Sequence, residues 1–206
     1  MPQNPSPNSR PTALREAVVA QQRRKRRRWI LMWVAIGVAV VVVITGAGVL
    51  LSRPPVATAD TTGTVTYPDL ARGHVSTPVV YAQVPPAGGD HAEEWQNCGV
   101  YTAPVQSENA VHSLEHGAIW VTYRPDLAPD QVQVLQAAVK TQPYGLLSPF
   151  PGLPAPVVAT VWGVQLKVQS ATDPQLASFI AKYADASQAP EPRGECTGGI
   201  GAPTDR

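Results

Sequence analysis

Hydrophobic and polar positions fall into two regimes along this chain. From Trp29 to Leu51, 23 residues carry no charge and are rich in Val, Ile, Leu and Ala. As a helix such a run spans about 34 Å, enough to cross a hydrocarbon core of about 30 Å. Beyond it the apolar runs are short and punctuated by proline and glycine. Ser107-Glu108-Asn109-Ala110 predicts the capped start of a short helix that ends at Gly117. Ala118 to Tyr123 is β-branched and aromatic, which predicts a buried strand closed by Arg124-Pro125-Asp126. Val132, Leu135, Ala138 and Val139 recur at helical spacing and predict a helix over about 130–141. Two strands, 157–162 and 164–168, meet at Gly163, and a last helix starts at Asp173-Pro174 and runs through Leu176, Phe179, Ile180 and Tyr183. Pro143 to Pro156 reads as a proline-rich loop. Pro85-Pro86-Ala87-Gly88-Gly89-Asp90 reads as a stiff reversal that delivers His91. The fold class predicted by this order is α+β: one small domain with a mostly antiparallel sheet and two or three helices, two of which cover one face of the sheet.

Charge adds an orientation. Eight basic residues, six of them in the run Arg23–Arg28, stand against one acid before the apolar segment, whereas eight basic and fourteen acidic residues follow it. Positive flanks stay in the cytoplasm, so the N-terminus is predicted inside and the remainder outside. The predicted organisation is a disordered basic cytoplasmic tail (1–28), a transmembrane helix (29–51), a flexible tether (52–63), an extracytoplasmic globular domain (64–200) and a disordered C-terminus (201–206). Ala57-Thr58-Ala59 has the form of a signal-peptidase site, but 23 apolar residues exceed the about 7–15 of a signal peptide, which favours an uncleaved anchor. The expected partners are membrane lipid, including anionic headgroups, and an envelope protein. Nucleic acid is not expected, because the basic run abuts an apolar span. Cys98 and Cys196 both fall on the exported side, where two thiols in one domain most often pair.

The candidate chemistry lies in the histidines. All four, His74, His91, His112 and His116, fall within 43 residues, and His112-Ser113-Leu114-Glu115-His116-Gly117 places two of them four apart, on one face of a helix. Imidazole nitrogen suits Zn(II) and Cu(II), so His91, His112 and His116 are predicted to hold a metal ion or small ligand, with His74 and Glu115 in support. Cu(I) is disfavoured because the only methionines are Met1 and Met32, neither on the exported side. The string is not the HExxH of zinc proteases: Ser113 stands where the general base belongs, and the acid directly precedes the second histidine. Ser113 also lacks the Gly-x-Ser-x-Gly surroundings of a hydrolase nucleophile. No catalytic residue and no organic cofactor site is predicted. The alternatives are an envelope interaction or assembly module whose histidines are structural, with Glu115 paired to Arg124 or capping an amide, and, third, a metal-dependent hydrolase.

These same residues carry a resemblance. His74-Val75, Tyr81, Pro85-Pro86 leading to His91, Trp95, Cys98-Gly99-Val100-Tyr101, His112 to Gly117, Tyr123-Arg124-Pro125, Ala189-Pro190-Glu191 and Cys196 resemble the bacterial, mainly actinobacterial, domain of unknown function 3105 family over roughly residues 67–196. Where the family's loop reads more like PPTSGPH, this chain has Ala87-Gly88-Gly89-Asp90-His91, which keeps the histidine and drops the hydroxyls. The resemblance implies an anchored extracytoplasmic domain and names no activity.

Overall fold

The computed structural model describes Trp29, Met32, Trp33 and residues 63–205. Most of the apolar segment 29–51, the tail 1–28 and nearly all of the tether thus lie outside the described residues. Among the described residues no helix is long and apolar enough to cross a membrane. The unit Ala57–Arg206 holds the fold.

Its elements are β1 (Thr64–Thr66), β2 (Gly99–Val100), α1 (Ser107–Glu115), β3 (Ile119–Tyr123), α2 (Pro129–Lys140), β4 (Gly145–Pro149), β5 (Val157–Val161), β6 (Val164–Val168) and α3 (Pro174–Tyr183). They form an α+β domain around one six-stranded sheet in the order β1-β6-β5-β3-β4-β2. The sheet is mixed. β1, β6, β5 and β3 pair antiparallel in sequence along it, while β3 with β4 and β4 with β2 are parallel. The cause is α2, which carries the chain back across the sheet so that β4 starts at the same end as β3, as a helical crossover requires.

β4 falls inside the stretch expected to be a loop. Its residues Gly145-Leu146-Leu147-Ser148-Pro149 are all buried, and the proline sits at the last position, where it does not interrupt the ladder. β5 and β6 form the expected hairpin, with Gly163 at φ 73° in its two-residue turn.

β3 lies centrally and is buried on both faces. Ile119, Val121 and Tyr123 pack with Leu135 and Val139 of α2 and with Leu176, Phe179 and Ile180 of α3. Trp120 packs on the other face with Ala110, Val111 and Leu114 of α1. α2 and α3 therefore share one face, and α1 with the long segment before it covers the other. Residues 201–205, expected to be free of the fold, run beside β2 instead: Val100 and Asp205 form an antiparallel bridge, Thr204 donates its backbone N–H to the Val100 carbonyl at 2.8 Å, and Lys140 pairs with Asp205. The tail satisfies the backbone N–H and carbonyl of Val100 in the two-residue β2.

The turn out of α1 positions the residues of interest. Gln106, not Ser107, occupies the N-cap, and no side chain caps the helix. At the other end Gly117 has φ 101°, its N–H bonds to Leu114 at 3.0 Å, and Ala118 N–H bonds to Ser113 at 2.8 Å. This is the Schellman arrangement. It places His116 at the last helical corner and turns the chain straight into β3. A Cβ at Gly117 would also meet the methyl of Ala186. Gly117→Ala is therefore expected to cost about 2 kcal/mol or more, read as a lower urea midpoint at unchanged m-value.

Candidate metal centre

Four elements of the chain bring the histidines together. α1 carries His112 and Glu115, with His116 at its end. The loop Pro85–Asp90 is tied down by Gln165 Nε2 donating to the Pro85 carbonyl at 2.6 Å and by Gly163 N–H to the Ala87 carbonyl at 2.7 Å. It delivers His91, whose backbone pairs with the strand-like segment of His74: His91 N–H bonds to Gly73, and Val75 N–H bonds to His91. The fourth element is the C-terminal strap, held by the Cys98–Cys196 disulfide with its Cα atoms 5.3 Å apart.

The rings form a contiguous group. His112 is its centre, with ring centroids 4.9 Å from His74, 4.8 Å from His91 and 4.5 Å from His116. His74, His91, His112 and Glu115 each offer a ligating atom, and these atoms lie within 4.8 Å of one another. His116 stands outside that compact set and meets it through His112. His116, expected among the primary ligands, is thus set apart, whereas His74 and Glu115, expected in support, belong to the compact set. His91, His112, Glu115 and His116 are buried, whereas His74 is exposed.

The hydrogen bonds fix which nitrogen faces inward. Nδ1 of His91 lies 2.8 Å from the Gly89 carbonyl, Nδ1 of His112 lies 2.8 Å from the Ala92 carbonyl, and Nδ1 of His116 lies 2.6 Å from the Glu195 carbonyl. A carbonyl only accepts, so each Nδ1 carries the proton, and the tautomer follows from the partner. In the neutral rings each Nε2 is then a bare lone pair. His112 Nε2 and His116 Nε2 face each other at 3.1 Å, and His91 Nε2 lies 2.9 Å from Glu115 Oε2. The second contact is not a hydrogen bond and leaves His91 Nε2 a buried nitrogen without a hydrogen-bond partner. Both are acceptor-to-acceptor contacts, which repel unless a proton or a cation lies between them.

For His112 the proton is disfavoured. Burial, together with the neighbouring His116, His91 and His74, outweighs the bond to Ala92 and lowers its pKa from 6.5 to about 4. The unfolded chain then binds this proton below about pH 6.5 while the fold refuses it until about pH 4, so the contribution to stability is complete above pH 6.5 and lost as pH falls. The unfolding free energy of metal-free protein from urea titrations is expected to decline from pH 7 to pH 4, by up to roughly 3 kcal/mol from this group. A flat profile there would contradict the buried, neutral ring.

Other candidates resolve simply. Ser113 is fully buried and donates its hydroxyl to the Gln96 carbonyl at 2.7 Å, a structural role. Arg124 donates Nε to the Leu153 carbonyl, and Glu115 faces His91 instead of Arg124. Two contributors were not read from the sequence. Glu191 brings a carboxylate oxygen 3.7 Å from His116 Nε2, and Glu195 supplies the carbonyl under His116. The sequence signal for Glu195 was the adjacent Cys196, and for Glu191 its place in Ala189-Pro190-Glu191 of the family resemblance, which assigned it no site role. Trp95 flanks the group, its ring 5.3 Å from that of His116 and 5.8 Å from that of His112.

The sequence pattern described as "Protein of unknown function (DUF3105)" matches residues 74–198. The chain belongs to the DUF3105 family. The match opens on His74 and takes in all four histidines, Glu115 and both cysteines of the DUF3105 domain. No curated protein and no solved structure matches the chain.

Proposed function

We propose that this DUF3105 domain binds one divalent transition-metal ion, Zn(II) or Cu(II), through His112 with His91, Glu115 and His74, and with His116 beside them. The observation that carries the reading is that three imidazoles, each anchored at Nδ1 by a backbone carbonyl, present Nε2 to another ligating atom of the group. Metal-bound histidines use this pattern, in which the outer hydrogen bond sets tautomer and ring direction. The separations agree with it: two ligands on one tetrahedral Zn(II) at about 2.0–2.1 Å lie roughly 3.3 Å apart, against 3.1 and 2.9 Å here. No free thiol competes as a ligand among the described residues. The role is binding without catalysis, and the domain faces the outside of a membrane, a placement supported by the basic flank and the apolar segment 29–51.

The test is metal uptake by the full-length chain, purified without a polyhistidine tag. About one equivalent of Zn(II) or Cu(II) is expected by elemental analysis after dialysis, removable by chelator. A second reading rests on the His91 and Glu115 contact, since a proton on Nε2 makes it a buried ion pair with purely structural histidines and leaves the family as an envelope interaction module. A folded chain that takes up neither metal supports that reading and sinks the first.

A further inference from the structure

The four compact ligands are not equivalent. His91, His112 and Glu115 are buried, and His91 and His112 have a second, anchoring hydrogen bond. His74 is exposed, and no hydrogen bond restrains its ring among the described residues; only its backbone is held, beside His91. Its ring stacks on that of His112 at 4.9 Å and forms one wall of a cleft of about 700 Å³, whose other lining includes Glu93, Glu94 and Asn109. Both glutamates are exposed. The ring of His91, whose buried Nε2 faces Glu115 Oε2 without a hydrogen bond, adjoins that of His74, with the two ring centroids 4.9 Å apart.

We propose that this cleft is the exchange route of the metal centre, with His74 as the ligand that releases and Glu93 and Glu94 as the carboxylates that gather the incoming cation, so that the domain passes its metal on instead of keeping it as a structural ion. The inference rests on the reading of the cluster as a metal site. Its physical basis is the unequal restraint. Ligand exchange needs one coordination position to open, and opening at His91 or His112 breaks an anchored, buried ring contact. Opening at His74 needs only rotation of an exposed side chain into water. Two carboxylates at the mouth raise the local cation concentration and the rate of capture, an effect that salt screens.

The experiment uses Zn(II) as the probe and the untagged full-length chain, with transfer to a chromogenic chelator followed by stopped flow. His74→Ala, which removes one proposed ligand, is expected to bind Zn(II) more weakly and to release it at least about tenfold faster. The pair Glu93→Gln and Glu94→Gln is expected to slow loading several-fold at low salt, with little difference at high salt and an unchanged release rate. Unchanged release in His74→Ala, or complete loss of uptake by that folded variant, overturns the exchange route. So does salt-independent loading that ignores the glutamates. If the wild-type chain takes up neither Zn(II) nor Cu(II), the metal site itself fails, and that one control tells the two failures apart; a chain that loads Cu(II) alone is followed with Cu(II) as the probe.

Discussion

Replacing His112 by alanine is expected to abolish metal uptake, with a loss of at least about 100-fold in affinity. No other residue of the group touches all three remaining histidine rings. Its imidazole also joins the compact set to His116, so both sides lose a ligand at once. The clean measurement is the metal-dependent rise in melting temperature, because ligand that binds only the native state adds about 2.7 kcal/mol at 100 times Kd. That increment should vanish in His112→Ala while the metal-free variant still unfolds cooperatively. His112→Asn, which keeps a polar group near the Ala92 carbonyl, guards against a trivial folding defect and should behave the same way. A full metal-dependent increment in either folded variant excludes His112 as a ligand.

Removal of the disulfide, by Cys98→Ala with Cys196→Ala, is expected to reach both stability and the site. The bridge closes a loop with a sequence separation of 98. Constraint of so long a loop in the unfolded chain amounts to about 2–5 kcal/mol. The same bridge anchors the strap that serves His116: Cys98 N–H bonds to the Cys196 carbonyl, Glu195 accepts from His116 Nδ1, and Glu191 N–H bonds to the Glu115 carbonyl. Gly194 packs on the ring of His116, where a Cβ would stand 2.6 Å from Cγ. A second effect should therefore accompany the first, a roughly 10–100-fold weaker metal affinity from loss of that outer support. Equal denaturant midpoints with and without reductant would remove the stability argument. An unchanged affinity in the double variant would show that the strap does not tune the site.

The helices and the β5–β6 hairpin were legible because each carries its own signal. Asp173 accepts from Gln175 N–H at 2.9 Å and caps α3 ahead of Pro174, a local pattern that needs no tertiary partner. β4 was not legible. Gly145-Leu146-Leu147-Ser148-Pro149 lies among prolines and becomes a strand only because β3 and β2 flank it. The same holds for the C-terminal residues, which have no strand composition and are ordered by Val100 and Lys140.

The sequence by itself determined which residues were candidates: four clustered histidines, Glu115 on the helix of His112, and two cysteines positioned to tie the tail to them. It also narrowed the class of ligand proposed, since imidazole and carboxylate without free thiol or nearby thioether favour a narrow range of metals. Only the tertiary structure decided the ranking. Spacing along α1 joins His112 to Glu115 and His116, but the loop from Pro85 and the pairing of His74 with His91 bring two further ligating groups, His91 and His74, against His112. Which nitrogen faces inward, which ring is buried and which one opens to water depend on backbone carbonyls and on a cleft assembled from distant segments. Helical periodicity reports only neighbours three and four residues away, so these contacts leave no local trace in the chain.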